Sequence, residues 1–534
     1  MKYAYLFETR GIQRFLFASG KLRDMLGGSE LLDFICAEGG LLDQALEKLD
    51  LAPAAPRRAG GAFYLIFNKS EDAIRLRDAW RLACSRWLPG VEKVDALAQG
   101  DTAHAAISAG LEQLRSARNH LRADLPRPGP LSERSPRTAL AAVVRRRDES
   151  LDAATLRQRD FTRPADGQNL AQRFLDEPGY IWPVDFEENS PPDKRFPLGE
   201  RRLVGLIHAD GNGLGELLRI LSTACTGADD KTYVTLYRTF SEGLAYATQA
   251  AANQASREVL LDKAEQYVLP ARPLVLGGDD LTIIVRADLA LPFARTFLNA
   301  FEQYSRQSMQ ALQQAFEQAG LGTQGEQLPA HLTACAGICF MKCSQPFQAG
   351  HNLAESLCKR AKFAARKARQ GNEPMPATLA MHKVQDSLLE DADTQFAQNH
   401  CFRHEGLTWQ LALPAYALAP GQGVPALNDL EGMLQIFNRH SPNSLNDRPL
   451  RELATLWHAN PSLARQAYIR WRELAERNKP VALAEFDRHL RALLGSVQND
   501  LPCSLEESPQ SPLADLLVLL TLQIPSNSAS EGQQ

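Results

Sequence analysis

The sequence predicts an α+β fold with two ferredoxin-like units of the βαββαβ type and a helical C-terminal domain. A series of short apolar segments bounded by glycine occurs twice, and such segments are typical of buried strands. After about residue 421 the apolar residues recur at helical spacing instead. The chain has 534 residues, which is enough for about three to four domains at roughly 100–200 residues each.

The composition is that of an ordinary globular protein and excludes several functional classes. Apolar residues make up 44% of the chain and charged residues 23%, and the net charge is −4, so the chain is not a generally basic nucleic-acid coat. No apolar stretch reaches the about 18 residues of a membrane span, and the N-terminus does not read as a signal peptide. The nine cysteines form no C-x-x-C pair. We therefore expect a cytoplasmic protein with reduced thiols and no membrane partner.

The first repeat begins at the N-terminus. Tyr3–Phe7 is predicted as a buried strand, and a helical stretch follows it. Gly60 and Gly61 then lead into a second predicted strand, Ala62–Phe67, and a third apolar segment begins at Ala103.

The second repeat has the same series of segments. In chain order, its predicted strands and helices are the strand Leu203–Ala209, helices at Asn212–Ile220 and Tyr237–Tyr267, the strands Leu274–Leu276 and Leu281–Val285, a helix at Pro292–Ala319, the strand Leu332–Phe340 and a helix at Phe347–Arg369. This order predicts an antiparallel sheet with helices on one face, the layout of polymerase and cyclase palm domains.

The remaining segments suggest the domain boundaries. A stretch rich in proline and arginine separates the repeats, and the last residues have the composition of a disordered tail. We predict a first palm-like domain at 1–115, a linker or irregular module at 116–199, a second palm domain at 200–385, a connector at 386–424, a helical domain at 425–524 and a disordered tail at 525–534.

The clearest chemical signal is the segment Gly277-Gly278-Asp279-Asp280 at the tip of a predicted hairpin. Two neighbouring carboxylates repel each other when both are ionised, and a divalent cation removes that cost. Mg²⁺ prefers carboxylate oxygens together with substrate phosphates. Gly277 and Gly278 allow a triphosphate to approach the backbone without a Cβ clash. The alternative is a plain hairpin turn, in which glycine and aspartate are common.

A third carboxylate, Asp210, ends the strand Leu203–Ala209. In a palm-like sheet this strand lies beside the central hairpin, so we expect Asp210 next to the acidic pair and assign all three residues to metal binding and catalysis. Such an arrangement suits phosphoryl or nucleotidyl transfer with one or two metal ions. Gly211, Gly213 and Gly215 surround the start of the next helix and could offer N–H groups to phosphate. Gly211, Asn212 and Gly213 are therefore candidate nucleotide contacts. Their alternative role is a flexible helix entry.

Two further residues are candidate nucleotide contacts. Lys362 lies on the helix after Leu332–Phe340 and could reach a triphosphate, with nearby cations as alternatives and a solvated basic face as the simpler explanation. Ser29, in Gly27–Leu32, could hydrogen-bond a nucleotide held by the first repeat. Its alternative is a helix-packing site of small residues.

The first repeat lacks the acidic motif. The sequence places Gly60-Gly61-Ala62-Phe63 where the second repeat has residues 277–280, and Glu8-Thr9-Arg10 where it has Asp210. Alanine and phenylalanine cannot hold a metal. We therefore expect the first unit to be non-catalytic, although it could still bind a nucleotide and orient it against the second.

Taken together, these motifs resemble the large, polymerase-like subunit of type III CRISPR effector complexes, in a compact form. The resemblance rests on Gly11–Leu32, His208–Leu218, Leu276–Asp280 and ACAGICF with the following Ala361-Lys362. It implies joining of ATP into cyclic oligoadenylate messengers in antiviral defence, with Mg²⁺ or Mn²⁺ at the three aspartates. It also implies other effector subunits, guide RNA and target RNA as partners.

Three departures from the family pattern change these expectations. The chain starts directly with the first palm, without an HD nuclease domain, so we expect no DNase activity. Leu131–Leu140 contains no cysteine where the family commonly has a zinc module, so we expect no zinc. The usual D-G-D is here Asp210-Gly211-Asn212, and asparagine is the weaker metal ligand. The alternatives are a non-catalytic nucleotide-binding scaffold subunit and a stand-alone nucleotide cyclase.

Overall fold

The structure is a computed structural model. It describes residues 1–119, 128–146, 149–163, 169–199, 201–371, 373–384, 392–404, 406–438, 441, 444–506 and 508–522. The predicted disordered tail, residues 525–534, lies outside the described residues, as do the first residues of the predicted connector.

The N-terminal unit is a four-stranded antiparallel sheet with helices. Its elements are β1 (Lys2–Arg10), α1 (Ile12–Phe17), α2 (Leu22–Phe34), α3 (Leu41–Leu49), β2 (Ala54–Ala59), β3 (Ala62–Phe67), α4 (Ser70–Trp87), β4 (Glu92–Gly100) and α5 (Ala103–Arg118). The strand order is β2-β3-β1-β4, which is the order that a βαββαβ unit gives.

The third apolar segment of the first repeat is a helix and not the last strand of the βαββαβ unit. The apolar segment at Ala103 begins helix α5, whose first turn is capped by the side chain of Thr102. The fourth strand lies earlier, at β4. This strand buries only alternate residues such as Val94, Ala96 and Ala98, so it has no continuous apolar run by which to recognise it.

The segment between the repeats contains regular structure. It forms β5 (Ala142–Arg146), β6 (Glu149–Asp152), α6 (Ala153–Asp160) and α7 (Leu170–Phe174). Helix α6 lies against α2, where a Cβ atom on Gly27 would come within 1.8 Å of the carbonyl oxygen of Gln158. The guanidinium group of Arg159 also pairs with the buried carboxylate of Asp24 on α2. This module is therefore packed onto the first unit.

The second repeat contains the same core. It consists of β7 (Leu203–Gly211), α8 (Leu214–Ala224), α9 (Asp230–Leu260), a 3₁₀ turn (Leu261–Lys263), β8 (Ala271–Gly277), β9 (Asp280–Arg286), α10 (Ala287–Gln318), α11 (Gly322–Gly325), β10 (Ala334–Lys342), α12 (Phe347–Ala368) and β11 (Thr378–Lys383). Four strands in the order β10-β7-β9-β8 repeat the order of the first sheet. The predicted pair of βαββαβ units is confirmed.

The C-terminal part is mainly helical, as the sequence predicts. It comprises α13 (Ala392–His400), β12 (Cys401–His404), β13 (Leu407–Gln410), β14 (Tyr416–Ala417), α14 (Leu427–Ile436), α15 (Arg448–Ala459), α16 (Pro461–Asn478), α17 (Pro480–Leu494) and α18 (Leu513–Leu522). Strands β11 and β14 extend the second sheet to six strands, in the order β14-β11-β10-β7-β9-β8. None of the helices in the described ranges is both long enough and apolar enough to span a bilayer.

Candidate metal and nucleotide site

Three carboxylates meet at one edge of the second sheet. Asp210 lies near the end of β7, Asp279 lies in the β8–β9 turn and Asp280 begins β9. Strands β7 and β9 are antiparallel neighbours that pair Ala209 with Leu281, so their ends bring Asp210 beside the hairpin. One carboxylate oxygen from each aspartate lies within 4.8 Å of the others, and this is the only such group of His, Cys, Asp or Glu among the described residues.

The local backbone explains this approach. Gly277 pairs with Asp280, which leaves Gly278 and Asp279 as a two-residue hairpin loop. Gly278 has a φ of 60°, a conformation that glycine adopts without steric cost. On the neighbouring strand, a Cβ atom on Gly211 would lie 2.9 Å from the Cβ of Asp279. The glycine at 211 therefore makes room for the acidic turn.

The three carboxyl groups are too close together to be fully ionised without a further cation. Burial raises the pKa of Asp279 and of Asp280, and the nearby carboxylates raise both further. Burial also opposes ionisation of Asp210, but the hydrogen bond with Asp279 and the ammonium group of Lys362 outweigh it and lower its pKa. Three carboxylates face one lysine, so the site suits a divalent cation with oxygen ligands.

Lys362 lies at this cluster, where the sequence predicts a phosphate contact. It projects from α12, and its Nζ atom donates to the carboxylate of Asp210 and, at 2.8 Å, to the carbonyl oxygen of Gly211. Burial disfavours the charged amine, but the charge of Asp210 outweighs this effect and raises the pKa of Lys362. The side chain is therefore a fixed cation beside the carboxylates.

Asn212 has a different environment from the one that the sequence suggests. Its side chain is buried, and its Nδ2 atom donates to Thr333 Oγ1 at 3.0 Å. Its Oδ1 atom accepts from Cys335 Sγ at 3.2 Å. The protein thus engages both ends of the side-chain amide. The backbone N–H of Asn212, which the sequence suggests for a phosphate, donates to the carbonyl oxygen of Thr333 at 2.8 Å. The next residue, Gly213, adjoins open space and lines a cavity of about 520 Å³ at the start of α8.

Ser29 likewise has a partner within the protein. Its hydroxyl group is buried and donates to the carbonyl oxygen of Leu274 in β8. The preceding Gly27 and Gly28 lie against Gln158 of α6. These contacts correspond to the packing alternative for Gly27–Leu32, because the only proton of the Ser29 hydroxyl is already used to join α2 to the second sheet.

The strand registers correct the alignment of the two hairpins by one residue. Ala59 pairs with Ala62 around the Gly60-Gly61 turn, just as Gly277 pairs with Asp280. The structural counterparts of Asp279 and Asp280 are therefore Gly61 and Ala62, and not Ala62 and Phe63.

The counterpart of Asp210 in the first unit is Glu8, because Phe7 pairs with Phe63 as Ala209 pairs with Leu281. The carboxylate of Glu8 accepts hydrogen bonds from Tyr64 and Arg118. The first hairpin has no carboxylate, and protein groups already engage that of Glu8.

The two hairpins touch at their tips. A Cβ atom on Gly277 would lie 3.3 Å from the Cα of Gly60. A cavity of about 590 Å³ opens beside this contact, and besides the hairpin glycines its lining includes Arg58, Arg163, Arg173 and Thr248.

Sequence reasoning missed these four residues. Thr248, on α9, donates to the carbonyl oxygen of Gly278 at 2.6 Å and so contacts the acidic turn directly. Arg163 and Arg173 come from the segment between the repeats, which the sequence suggests is a linker, and both pair with Asp33 of α2. No local pattern marks any of them, because the cavity forms only when distant segments pack together.

Two palm-like units, one of them with a carboxylate cluster at its central hairpin, define a palm-domain protein. Residues 203–370 match the family model described as Cas10/Cmr2, second palm domain. The sequence-based resemblance to the polymerase-like subunit of type III CRISPR complexes is thereby confirmed for the second palm.

Solved structures give the same result for the fold. The chain is similar to a chain in a crystal structure described as the Csm1-Csm4 cassette in complex with cA4, with 12% sequence identity and a TM-score of 0.50. The match covers 98% of this chain and 70% of that chain. A Csm1-Csm4 cassette in complex with one ATP gives 14% identity, a TM-score of 0.50 and the same coverage of both chains. No curated protein matches the sequence.

Proposed function

We propose that this chain is a nucleotidyltransferase that converts ATP into a cyclic oligoadenylate-type messenger as a subunit of a type III CRISPR effector complex. The observation that carries the proposal is the convergence of Asp210, Asp279 and Asp280, with Lys362 beside them. The second-palm match supports it. The similar Csm1-Csm4 structures, which are described with ATP and with cA4, favour ATP as the substrate and another effector subunit as a partner. Guide RNA and target RNA as further partners rest on the family resemblance alone.

The three aspartates would hold Mg²⁺ or Mn²⁺, because their oxygens are close together and a divalent cation would remove the repulsion that opposes their ionisation. When bound, the metal would neutralise triphosphate charge and make the attacking hydroxyl more acidic. A Cβ atom at Gly278 would meet no atom within 4 Å, so a phosphate group would have access to the backbone at the acidic turn.

The reaction would join two nucleotides that lie on either side of the cluster. The 3′-hydroxyl of one attacks the α-phosphorus of the other, a P–O bond forms, the bond to the bridging oxygen of the β-phosphate breaks, and pyrophosphate leaves while the hydroxyl proton passes to solvent. Lys362 would attract the phosphate oxygens as a fixed cation. The first unit has no carboxylate at its hairpin. It would form one side of the cavity between the hairpins and orient the nucleotide there.

The test is incubation of the full chain with ATP and Mg²⁺ or Mn²⁺, alone and with type III partner subunits, guide RNA and target RNA. We expect oligoadenylate by mass spectrometry and a loss of at least about 100-fold in the double variant Asp279→Ala, Asp280→Ala. Glu476→Ala, at an exposed position on α16, is the matched control. Absence of product under every condition, or full activity in the double variant, would overturn the proposal.

The same assay separates the second candidate, a scaffold that binds nucleotide without turnover. Two observations favour it: the ammonium group of Lys362 already pairs with Asp210, and the amide of Asn212 is engaged by Thr333 and Cys335. ATP binding without metal-dependent pyrophosphate release would identify the scaffold. Product formation without any partner would instead identify a stand-alone cyclase.

A further inference from the structure

Helix α12 has an exposed face that begins at the carboxylate cluster. With about 100° of rotation per residue, the exposed residues follow Lys362 around the helix within about 140°. Within about two turns of Lys362 they are Lys359, Phe363, Arg366 and Lys367. We call them the α12 face.

Phe363 is the unusual member of this face. Its exposed fraction is 70%, and it is the only exposed phenylalanine among the described residues. It directly follows Lys362, which contacts Asp210, and it points about 100° further around the helix. A single exposed apolar side chain is common on protein surfaces, so the residues around the ring decide what it indicates.

The charges around Phe363 indicate what would cover it. Three cations flank the ring within about 12 Å along the helix axis. Of these, Lys359 pairs with Glu355 at 2.6 Å, whereas no ion pair engages Arg366 or Lys367 within the part of the chain that the structure describes. An apolar protein partner would have to desolvate these cations, but a polyanion would be attracted to them.

We propose that the α12 face binds a single-stranded oligoribonucleotide, with one base stacked on Phe363 and the backbone phosphates on the flanking cations. An aromatic ring set in a basic surface is the usual platform for single strands. The identity of the strand as oligoadenylate rests on the proposed function. The surface itself lies outside the carboxylate cluster and requires neither metal nor turnover.

Binding of labelled oligonucleotides to the full chain, measured by fluorescence anisotropy in EDTA, tests the stacking contact. We expect Phe363→Ala to weaken binding of a six-residue oligoadenylate by at least about 5-fold. It should leave binding of an abasic strand of equal length unchanged within about 2-fold. Phe363→Trp should retain affinity and Phe363→Leu should not. Leu82→Ala, which truncates a side chain that is 73% exposed on α4, is the control.

The salt dependence of binding tests the phosphate contacts. Lys367→Gln should reduce the slope of log affinity against log salt by about 0.7, the value for one neutralised phosphate on a single strand. A mixed-sequence RNA of 20 residues is the comparison strand. Phe363-dependent binding of this RNA, without such binding of the short oligoadenylate, would contradict oligoadenylate as the occupant of the α12 face.

An equal loss on the abasic strand, or no loss at all in Phe363→Ala, would overturn the proposal and favour a protein partner for this face. The double variant Asp279→Ala, Asp280→Ala should bind oligoadenylate normally. Absence of ATP turnover in the native chain, together with intact strand binding, would therefore contradict only the proposed function.

Discussion

Single residues without side chains determine how close the acidic groups can come. Gly211 is the clearest case, since its Cα lies where any Cβ would meet the Cβ of Asp279. The carboxylates of Asp279 and Asp280 are kept together despite burial and mutual repulsion, both of which raise their pKa values. The geometry of the site therefore depends on a residue that supplies no ligand atom of its own.

We expect Gly211→Ala to weaken Mn²⁺ binding, measured by isothermal titration calorimetry, by about 10- to 100-fold, because the added methyl group displaces Asp279 from the other two carboxylates. Gly215→Ala is the matched control, since a Cβ there meets no atom within 4 Å. This control should keep its metal affinity and gain about 0.5–1 kcal/mol of helix stability. Equal metal affinity in the two variants would contradict this account of Gly211.

The sequence predicts some of the site residues better than others, for a physical reason. Asp210, Asp279, Asp280 and Lys362 stand at the ends of recognisable strands or on a recognisable helix, so the topology alone brings them near one another. The hydrogen-bond partners of Asn212, Thr333 and Cys335, lie more than a hundred positions away in the chain. Such long-range hydrogen bonds leave no trace in local spacing.

At the scale of elements, α2 is the link between the two sheets. Its Ser29 hydroxyl donates to the carbonyl oxygen of Leu274, and its glycines accept the close approach of α6. Strand β8 carries this carbonyl group and leads directly into the acidic turn. The hydrogen bond thus ties a helix of the non-acidic unit to the strand that precedes Asp279.

We expect Ser29→Ala to lower the free energy of unfolding by about 1–3 kcal/mol, because it leaves the buried carbonyl group of Leu274 without a donor. Thermal unfolding measures this loss, and ATP binding should change by less than about 2-fold. Ser256→Ala removes a hydroxyl that donates only within its own helix, so it should destabilise less. A large loss of ATP affinity without loss of stability would instead favour the direct nucleotide contact that the sequence suggests.

How well the sequence predicts a strand depends on how much of that strand is buried. Strands β3 and β10 are buried along almost their whole length, and continuous apolar runs predict them well. Strand β4 buries one face only, and β2 carries two arginines, so neither stands out. The sequence does not reveal β2, and this explains the one-residue error in aligning the two hairpins. Only the pairing of β2 with β3 shows which residues form the first turn.

At the scale of the whole molecule, a buried carboxyl group joins the helical part to the second sheet. Asp515 of α18 accepts hydrogen bonds from the hydroxyl of Tyr416, at 2.6 Å, and from the backbone N–H of Leu413, at 2.8 Å. Burial raises the pKa of Asp515 to about 7, although both hydrogen bonds act in the opposite direction. The folded protein therefore holds a proton that the unfolded chain releases near pH 4.

This proton makes stability depend on pH. The folded state binds the extra proton between about pH 4 and pH 7, so the contribution of Asp515 to stability is complete below pH 4 and declines as the pH rises through 7. We expect Asp515→Asn, which keeps an acceptor oxygen, to gain on the order of 2–4 kcal/mol relative to the native chain between pH 4 and pH 8. Thermal unfolding across this range measures the difference, and Glu476→Gln is an exposed control. A difference that does not vary with pH would contradict the raised pKa.

The contact between Gly60 and Gly277 has a mechanical consequence. No side chain separates the two hairpins, so the backbone at Gly60 packs directly against the backbone at Gly277. A rigid-body shift of the N-terminal sheet by even an ångström must compress or release the loop that carries Asp279. The first hairpin therefore limits how far the acidic hairpin can move toward the N-terminal unit.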